Sequence, residues 1–388
     1  SAALNNGNNV TITTTANGGA DGEVGNITIT NATIEKNVNN NDVTLTFYAH
    51  NDISISNSTI TSSENALNLL LNADRDATEE GKISITNSTI TTNGGYFVAG
   101  GGDGDLGGAN GILGDGDGTG ADDAYAYAVG SGHGIDFANT NITTSNGDII
   151  LHGNAKGAGT DDGINFASSA ISSGDGWISL TGISTGDGAI NTPQGIGMSG
   201  STPSSASITA TGGNIDLYAT SVYSQALYMW ENSSITTEDG DISITANTPG
   251  GQIDLGANGT PPNATISSTN GNVTLTMDEI SLTGGTAHTI YAGDTLSIFT
   301  FTSSATIGIG GGSGTQNLNA DELSSLNAGN KIVIGRDGVQ TGDVDINAWD
   351  MTGKSYDVEI YGNDINMGGI TMGEGSLLAH AQDNGGDE

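Results

Sequence analysis

Apolar and polar residues alternate with a period of two along most of this chain, in short phrases opened by glycine. Gly25-Asn26-Ile27-Thr28-Ile29-Thr30, Gly81-Lys82-Ile83-Ser84-Ile85-Thr86, Gly240-Asp241-Ile242-Ser243-Ile244-Thr245 and Gly271-Asn272-Val273-Thr274-Leu275-Thr276 share one form. Successive side chains of a strand point to opposite faces, so each phrase predicts a strand with one dry and one wet side. A strand this short cannot bury its apolar face alone. Its repetition predicts neighbours stacked into a solenoid.

Many phrases continue into a second half-strand. In Ile27-Thr28-Ile29-Thr30-Asn31-Ala32-Thr33-Ile34, Ile27, Ile29 and Ile34 are expected to point inward, and the Asn31-Ala32 break to turn the chain onto a different sheet. Asn57-Ser58 and Asn87-Ser88 repeat the break. Asn suits it because it tolerates the left-handed conformation. One coil is then expected to hold two half-strands plus turns. At about 20 residues a coil, this gives roughly 15 to 19 coils and a rod on the order of 70–90 Å.

Two segments depart from the pattern. Residues 100–123 become Gly-Asp-rich and are expected to bulge as one loop insertion from a single elongated domain over 1–388. After a second glycine cluster at 308–314, residues 319–327 predict a short helical turn. Asn319 is its cap, and Leu323 and Leu326 lie on one face. The tail 382–388 is expected to be disordered.

Charge narrows the partners. Seven Lys and Arg stand against 44 Asp and Glu, a formal net charge of −37. Such a chain repels nucleic acid and anionic membranes and attracts cations. Without cysteine it has neither disulfides nor thiolate metal sites. No apolar run approaches the ~20 residues that span a bilayer. The first residues are already polar, so a signal peptide is expected to be absent or removed. These features suit an extracellular bacterial protein.

The succession of phrases resembles the repetitive shaft of the filamentous-haemagglutinin-like exoproteins of two-partner secretion. The likeness lies in Val43-Thr44-Leu45-Thr46-Phe47-Tyr48, Ala66-Leu67-Asn68-Leu69-Leu70-Leu71 and Ser88-Thr89-Ile90-Thr91-Thr92-Asn93-Gly94-Gly95. It continues in Asp321-Glu322-Leu323, Lys331-Ile332-Val333-Ile334-Gly335-Arg336 and Gly342-Asp343-Val344-Asp345-Ile346. The resemblance implies an all-β, right-handed parallel β-helix, exported through an outer-membrane secretion barrel and used for adhesion or biofilm cohesion. The family's amino-terminal secretion domain carries Asn-Pro-Asn motifs. None occurs here, the nearest sequence being Asn191-Thr192-Pro193-Gln194, which points to shaft rather than secretion domain.

Candidate chemistry is sparse. Asp103, Asp105, Asp115, Asp117, Asp122 and Asp123 supply oxygens in the number and flexibility that calcium takes, with a solvated acidic loop as the alternative. Their spacing fits neither the Gly-Gly-x-Gly-x-Asp nonapeptide nor an EF-hand loop. Gly132-His133-Gly134 with the pairs Asp122-Asp123 and Asp161-Asp162 resembles galacturonase-type hydrolases only superficially. The order differs, no Arg-x-Lys follows, and adjacent strand residues point to opposite faces. The five histidines are far apart in sequence. Thr-x-Thr rows read as the wet sides of strands rather than an ice-binding face. Tyr218, Tyr223, Tyr228 and Trp230 read as strand packing or as a sugar-stacking patch.

The expectation is therefore a non-enzymatic, secreted or cell-surface shaft that needs no cofactor beyond an optional calcium. Its expected partners are glycans, matrix or sister molecules. A self-assembling filament, sheath or surface-layer subunit is the alternative, with a polysaccharide-degrading enzyme third.

Overall fold

A computed structural model describes residues 1–14, 25–75, 80–102, 125–128, 132–156, 161–185, 193–200, 205–223, 225–230, 232–256, 264–282 and 288–382. The chain winds as a parallel β-helix. From the strand Val43–Tyr48 it passes to Ile53–Ser56, then to Thr59–Ser62, and returns at Leu67–Ala73 beside its starting strand. Each coil thus lays one strand on each of three sheets, here A, B and C, and consecutive coils pair in parallel. Among the described residues thirteen strands follow one another along sheet A, nine along B and ten along C. Towards the C-terminal end a four-stranded sheet D forms, in the order Gln316–Leu318, Ile307–Ile309, Val344–Asp350, Ile365–Thr371.

The two-strand coil of about 20 residues is corrected. With three strands and three corners, register partners lie 23 residues apart at Val273 and Leu296 and 37 apart at Ile178 and Ile215. Thirteen strands at the ~4.8 Å spacing span about 60 Å, a shorter rod with thicker coils. The third strand is part of the core's closure, since inward side chains of all three sheets join one apolar cluster.

That core is a set of columns. Ile53, Ile83, Ile135, Ile164, Ile196, Leu227, Ile253 and Ile280 occupy one register position on successive strands of sheet B. All are buried, and burying each such side chain contributes about 1.5–3 kcal/mol. Phe97, Phe137 and Phe166 add a tilted ring stack, with centroids 6.5 and 5.3 Å apart. Ile27 is buried as expected, and Ile29 and Ile34 pack partly buried against the same core.

The corners explain the punctuation. Between sheets B and C, Asn31, Asn57, Asn87 and Asn139 take φ of 52, 49, 49 and 51°, the left-handed region read from the sequence. The residues after these Asn form a hydroxyl ladder from Ser58 onward. Ser58 Oγ accepts the Ala32 N–H at 3.1 Å, and Ser88 Oγ accepts the Ser58 N–H at 3.1 Å. At the entry to sheet A, Gly147, Gly176, Gly213, Gly240 and Gly271 each lie on the glycine of the preceding coil. The next residue supplies a second ladder. Asn214 Oδ1 accepts the Asp241 N–H at 2.9 Å, and Asp241 Oδ1 accepts the Asn272 N–H at 2.8 Å.

Both ends differ from the middle. A four-residue helix, Ala2–Asn5, places Leu4 on the end of the core. The Ser1, Asn5 and Asn9 side chains there accept the N–H groups of Glu35, Asn37 and Thr44. At the opposite end the strands Ile365–Thr371 and Leu377–Ala381 are outermost on their sheets, with Met367 and Leu378 half-exposed. Near that end the helix Ala320–Ser325 carries a reciprocal cap. Asn319 Oδ1 accepts the Asp321 and Glu322 N–H groups, and Glu322 Oε2 accepts the Asn319 N–H.

Candidate functional site

The six candidate calcium ligands, Asp103, Asp105, Asp115, Asp117, Asp122 and Asp123, lie outside the described residues, as do residues 383–388 of the tail. Among the described residues no three His, Asp or Glu side chains converge to hold a metal. Chemistry-bearing side chains gather instead at the corner that leads from sheet A into sheet B.

Asn26, Asp52 and Lys82 occupy one ladder position at that corner. Asn26 Oδ1 accepts the Asp52 N–H at 3.0 Å, and Asp52 Oδ1 accepts the Lys82 N–H at 3.0 Å. Lysine has no acceptor to pass on, so the ladder ends at Lys82. Its side chain lies over Gly132, where a β carbon would stand 2.9 Å from Lys82 Nζ. Beside it is a hollow of about 250 Å³ lined by Asn51, Asp52, Glu80, Gly81, Lys82, Tyr127 and Ala128. The Tyr127 ring is held between Tyr125, edge-on at 6.2 Å, and Lys156, whose ammonium sits 4.7 Å from the ring centre. Such a cation–π contact fixes the ring without hiding all of it.

Next to the hollow the structure brings together His133, Asp136, Asp161 and Asp162. His133 Nδ1 accepts the Asp162 N–H at 2.9 Å, which places the imidazole proton on Nε2. Asp162 Oδ2 approaches the same nitrogen at 3.5 Å. This is no ion pair, because Nδ1 carries a lone pair there and not a proton. Burial lowers the His133 pKa against the opposing pull of Asp136 and Asp161. Burial also raises Asp162 to about 8, opposed by the Gln194 N–H on its carboxylate and reinforced by Asp161 and Asp136. A neutral imidazole beside a protonated carboxyl is the consistent state at neutral pH.

Asp161 and Asp162 are not the opposite faces of one strand, as their adjacency suggested. Both precede the strand Ile164–Ala167 and both are buried, at 9% and 5% exposure. Asp161 Oδ2 has no hydrogen-bond partner among the described residues. The Asp162 carboxyl rests on Gly197, where a β carbon would stand 2.5 Å from Oδ2.

A polar row continues along the outer face of sheet B: Asp136, Asn165, Gly197, Tyr228 and Asp254 share one register position. Asn165 Nδ2 donates to Asp136 Oδ1 at 2.8 Å. Gln194 Nε2 donates to Gln225 Oε1 at 3.3 Å, and Gln225 Nε2 donates to the buried Asp254 Oδ2 at 2.6 Å. Tyr228 and Trp230 stack with ring centres 5.5 Å apart, while Tyr218 lies on sheet A and joins neither. A larger hollow of about 520 Å³ near sheet D is lined by Asp343, Asp345, Asp364 and Asn366. Two of its three carboxylates are engaged internally: Asp343 accepts from Asn363 and Asp364, and Asp345 from Ser313 and Asn366.

Sequence reading singled out His133 and Asp161-Asp162 but not Lys82, Tyr127 or Glu80. One signal was present. Gly81-Lys82 is the one copy among the four quoted phrases in which a cation replaces the Asn or Asp that continues the ladder.

No family model matches the chain, and no curated protein or solved structure matches it. No helix among the described residues is long and apolar enough to cross a membrane.

Proposed function

We propose that the protein is a non-enzymatic shaft, secreted or held at a bacterial surface, that mediates attachment or matrix cohesion through its polar exterior. One observation carries this reading. The side chains of sheets A, B and C that face inward fill a continuous apolar column, so the outward rows are the surface left for contact. A rigid rod repeats similar polar groups at ~4.8 Å steps, which suits many weak contacts acting together. Glycans and matrix polymers, which themselves repeat, are the partners this suits. Calcium is an optional bridge between acidic surfaces, in keeping with the net charge of −37. The test is retention of the purified chain on bacterial or host-cell surfaces and on matrix polymers, with and without calcium. Retention on none of them overturns the proposal.

A second reading is favoured by the strands Ile365–Thr371 and Leu377–Ala381, outermost on their sheets among the described residues, with half-exposed Met367 and Leu378. Unpaired strand edges template association, so end-to-end assembly into a filament is the alternative. Sedimentation of the pure chain over a concentration series separates the two: ordered polymers favour the subunit, and a concentration-independent monomer favours the shaft.

A further inference from the structure

We propose that the hollow between Asn51, Asp52, Glu80, Lys82 and Tyr127 is a subsite for one ring of a neutral saccharide. The proposal rests on the adhesive-shaft reading and names the ligand class of its surface. Lys82 Nζ has no hydrogen-bond or ion-pair partner among the described residues, although the chain carries six carboxylates or more for every cation. An ammonium with no partner among the described residues is a donor open to a ligand.

The remaining wall groups fit sugar hydroxyls. Glu80 is exposed and accepts only. Asp52 spends Oδ1 on the Lys82 N–H and keeps Oδ2 for another donor, and the Asn51 amide both donates and accepts. A hydroxyl is at once donor and acceptor, so a mixed wall of carboxylate, amide and ammonium satisfies vicinal hydroxyls on both counts. Tyr127 supplies an aromatic surface for the C–H face of a pyranose, its ring fixed by Tyr125 and Lys156 before any ligand arrives.

Charge selects the class. Two carboxylates and one ammonium line the hollow, within a field set by a net charge of −37. A uronate or sialic acid meets repulsion there, and a neutral hexose does not. The volume of about 250 Å³ lies below that of drug-sized sites, in keeping with one ring and with weak, repeated contacts rather than deep capture.

The experiment is ligand-observed NMR and calorimetry on the whole chain with maltotriose, cellotriose, mannotriose and trigalacturonate. At least one neutral trisaccharide is expected to bind saturably. Tyr127→Ala and Lys82→Ala are each expected to weaken it about fivefold or more, while Tyr127→Phe retains it. All three variants should keep the circular dichroism of the parent. Neutral-sugar binding that Tyr127→Ala and Lys82→Ala leave unchanged overturns this hollow but not the shaft reading. Preference for trigalacturonate overturns the neutral class. Absence of any saturable trisaccharide binding overturns the subsite, whereas the shaft reading is judged separately by retention on cell and matrix surfaces.

Discussion

Gly240 stands directly on Gly213: a β carbon on Gly240 would lie 2.1 Å from the Gly213 carbonyl oxygen. The same relation links Gly213 to Gly176 at 1.9 Å and Gly271 to Gly240 at 2.4 Å. This column lets successive coils close to strand-pairing distance at the corner into sheet A, where any side chain would meet backbone. The blocking atoms are carbonyl groups held in ladders, so they cannot swing aside.

Gly240→Ala is therefore expected to destabilise the fold by about 3 kcal/mol or more through overpacking against fixed backbone. Gly369→Ala is the control, since the nearest atom to a β carbon there is 3.9 Å away. Urea unfolding of the two variants measures the difference; equal midpoints refute the column.

Asn57 turns its corner at φ 49°. Asn57→Val should cost about 1–2 kcal/mol, because a β-branched residue enters the left-handed region only with strain. Asn57→Gly should fall within a few tenths of a kcal/mol of the parent. Thermal melts of both variants test the claim. Equal losses would mean that the amide, not the backbone angle, holds the corner.

Phe137 is fully buried between Phe97 and Phe166. Truncation in Phe137→Ala removes contacts on both coils at once, and a loss of about 3–5 kcal/mol is expected. Near-ultraviolet circular dichroism should lose ring signal as the unfolding midpoint falls.

Asp162 predicts a pH dependence with a definite sign. Its pKa is raised from 3.8 to about 8 in the folded chain, so between those values the folded state holds a proton that the unfolded state releases. Its stabilising contribution is complete below 3.8 and is lost as pH rises through 8. His152, buried and lowered from 6.5 to about 4, acts the other way, and its contribution is lost as pH falls through that range. Between pH 6.5 and 8 His152 no longer contributes and Asp162 still does. Asp162→Asn, which cannot ionise, is expected to flatten the decline of melting temperature across that interval. An unchanged slope would refute a protonated Asp162.

Much of the corner chemistry was legible because it is local. Asn31, Asn57 and Asn87 announce a left-handed backbone through their own conformational preference, and Ile27 or Ile83 announces its burial through alternation. The site was less legible. Lys82, Tyr127 and His133 meet through coil stacking across variable corners, and no residue records the length of the coil above it.

The sequence by itself determined that the chain is built of short strands, wet on one side and dry on the other, which must stack. Only the tertiary structure decided how many strands make a coil and which corner each glycine serves. Gly25-Asn26 and Gly81-Lys82 open strands of sheet B, whereas Gly240-Asp241 and Gly271-Asn272 open strands of sheet A. The same phrase satisfies both, because an Asn or Asp after glycine accepts the next coil's N–H equally well at either corner. The choice between sheets is made by which apolar column the following Ile or Val completes, a property of neighbours far along the chain.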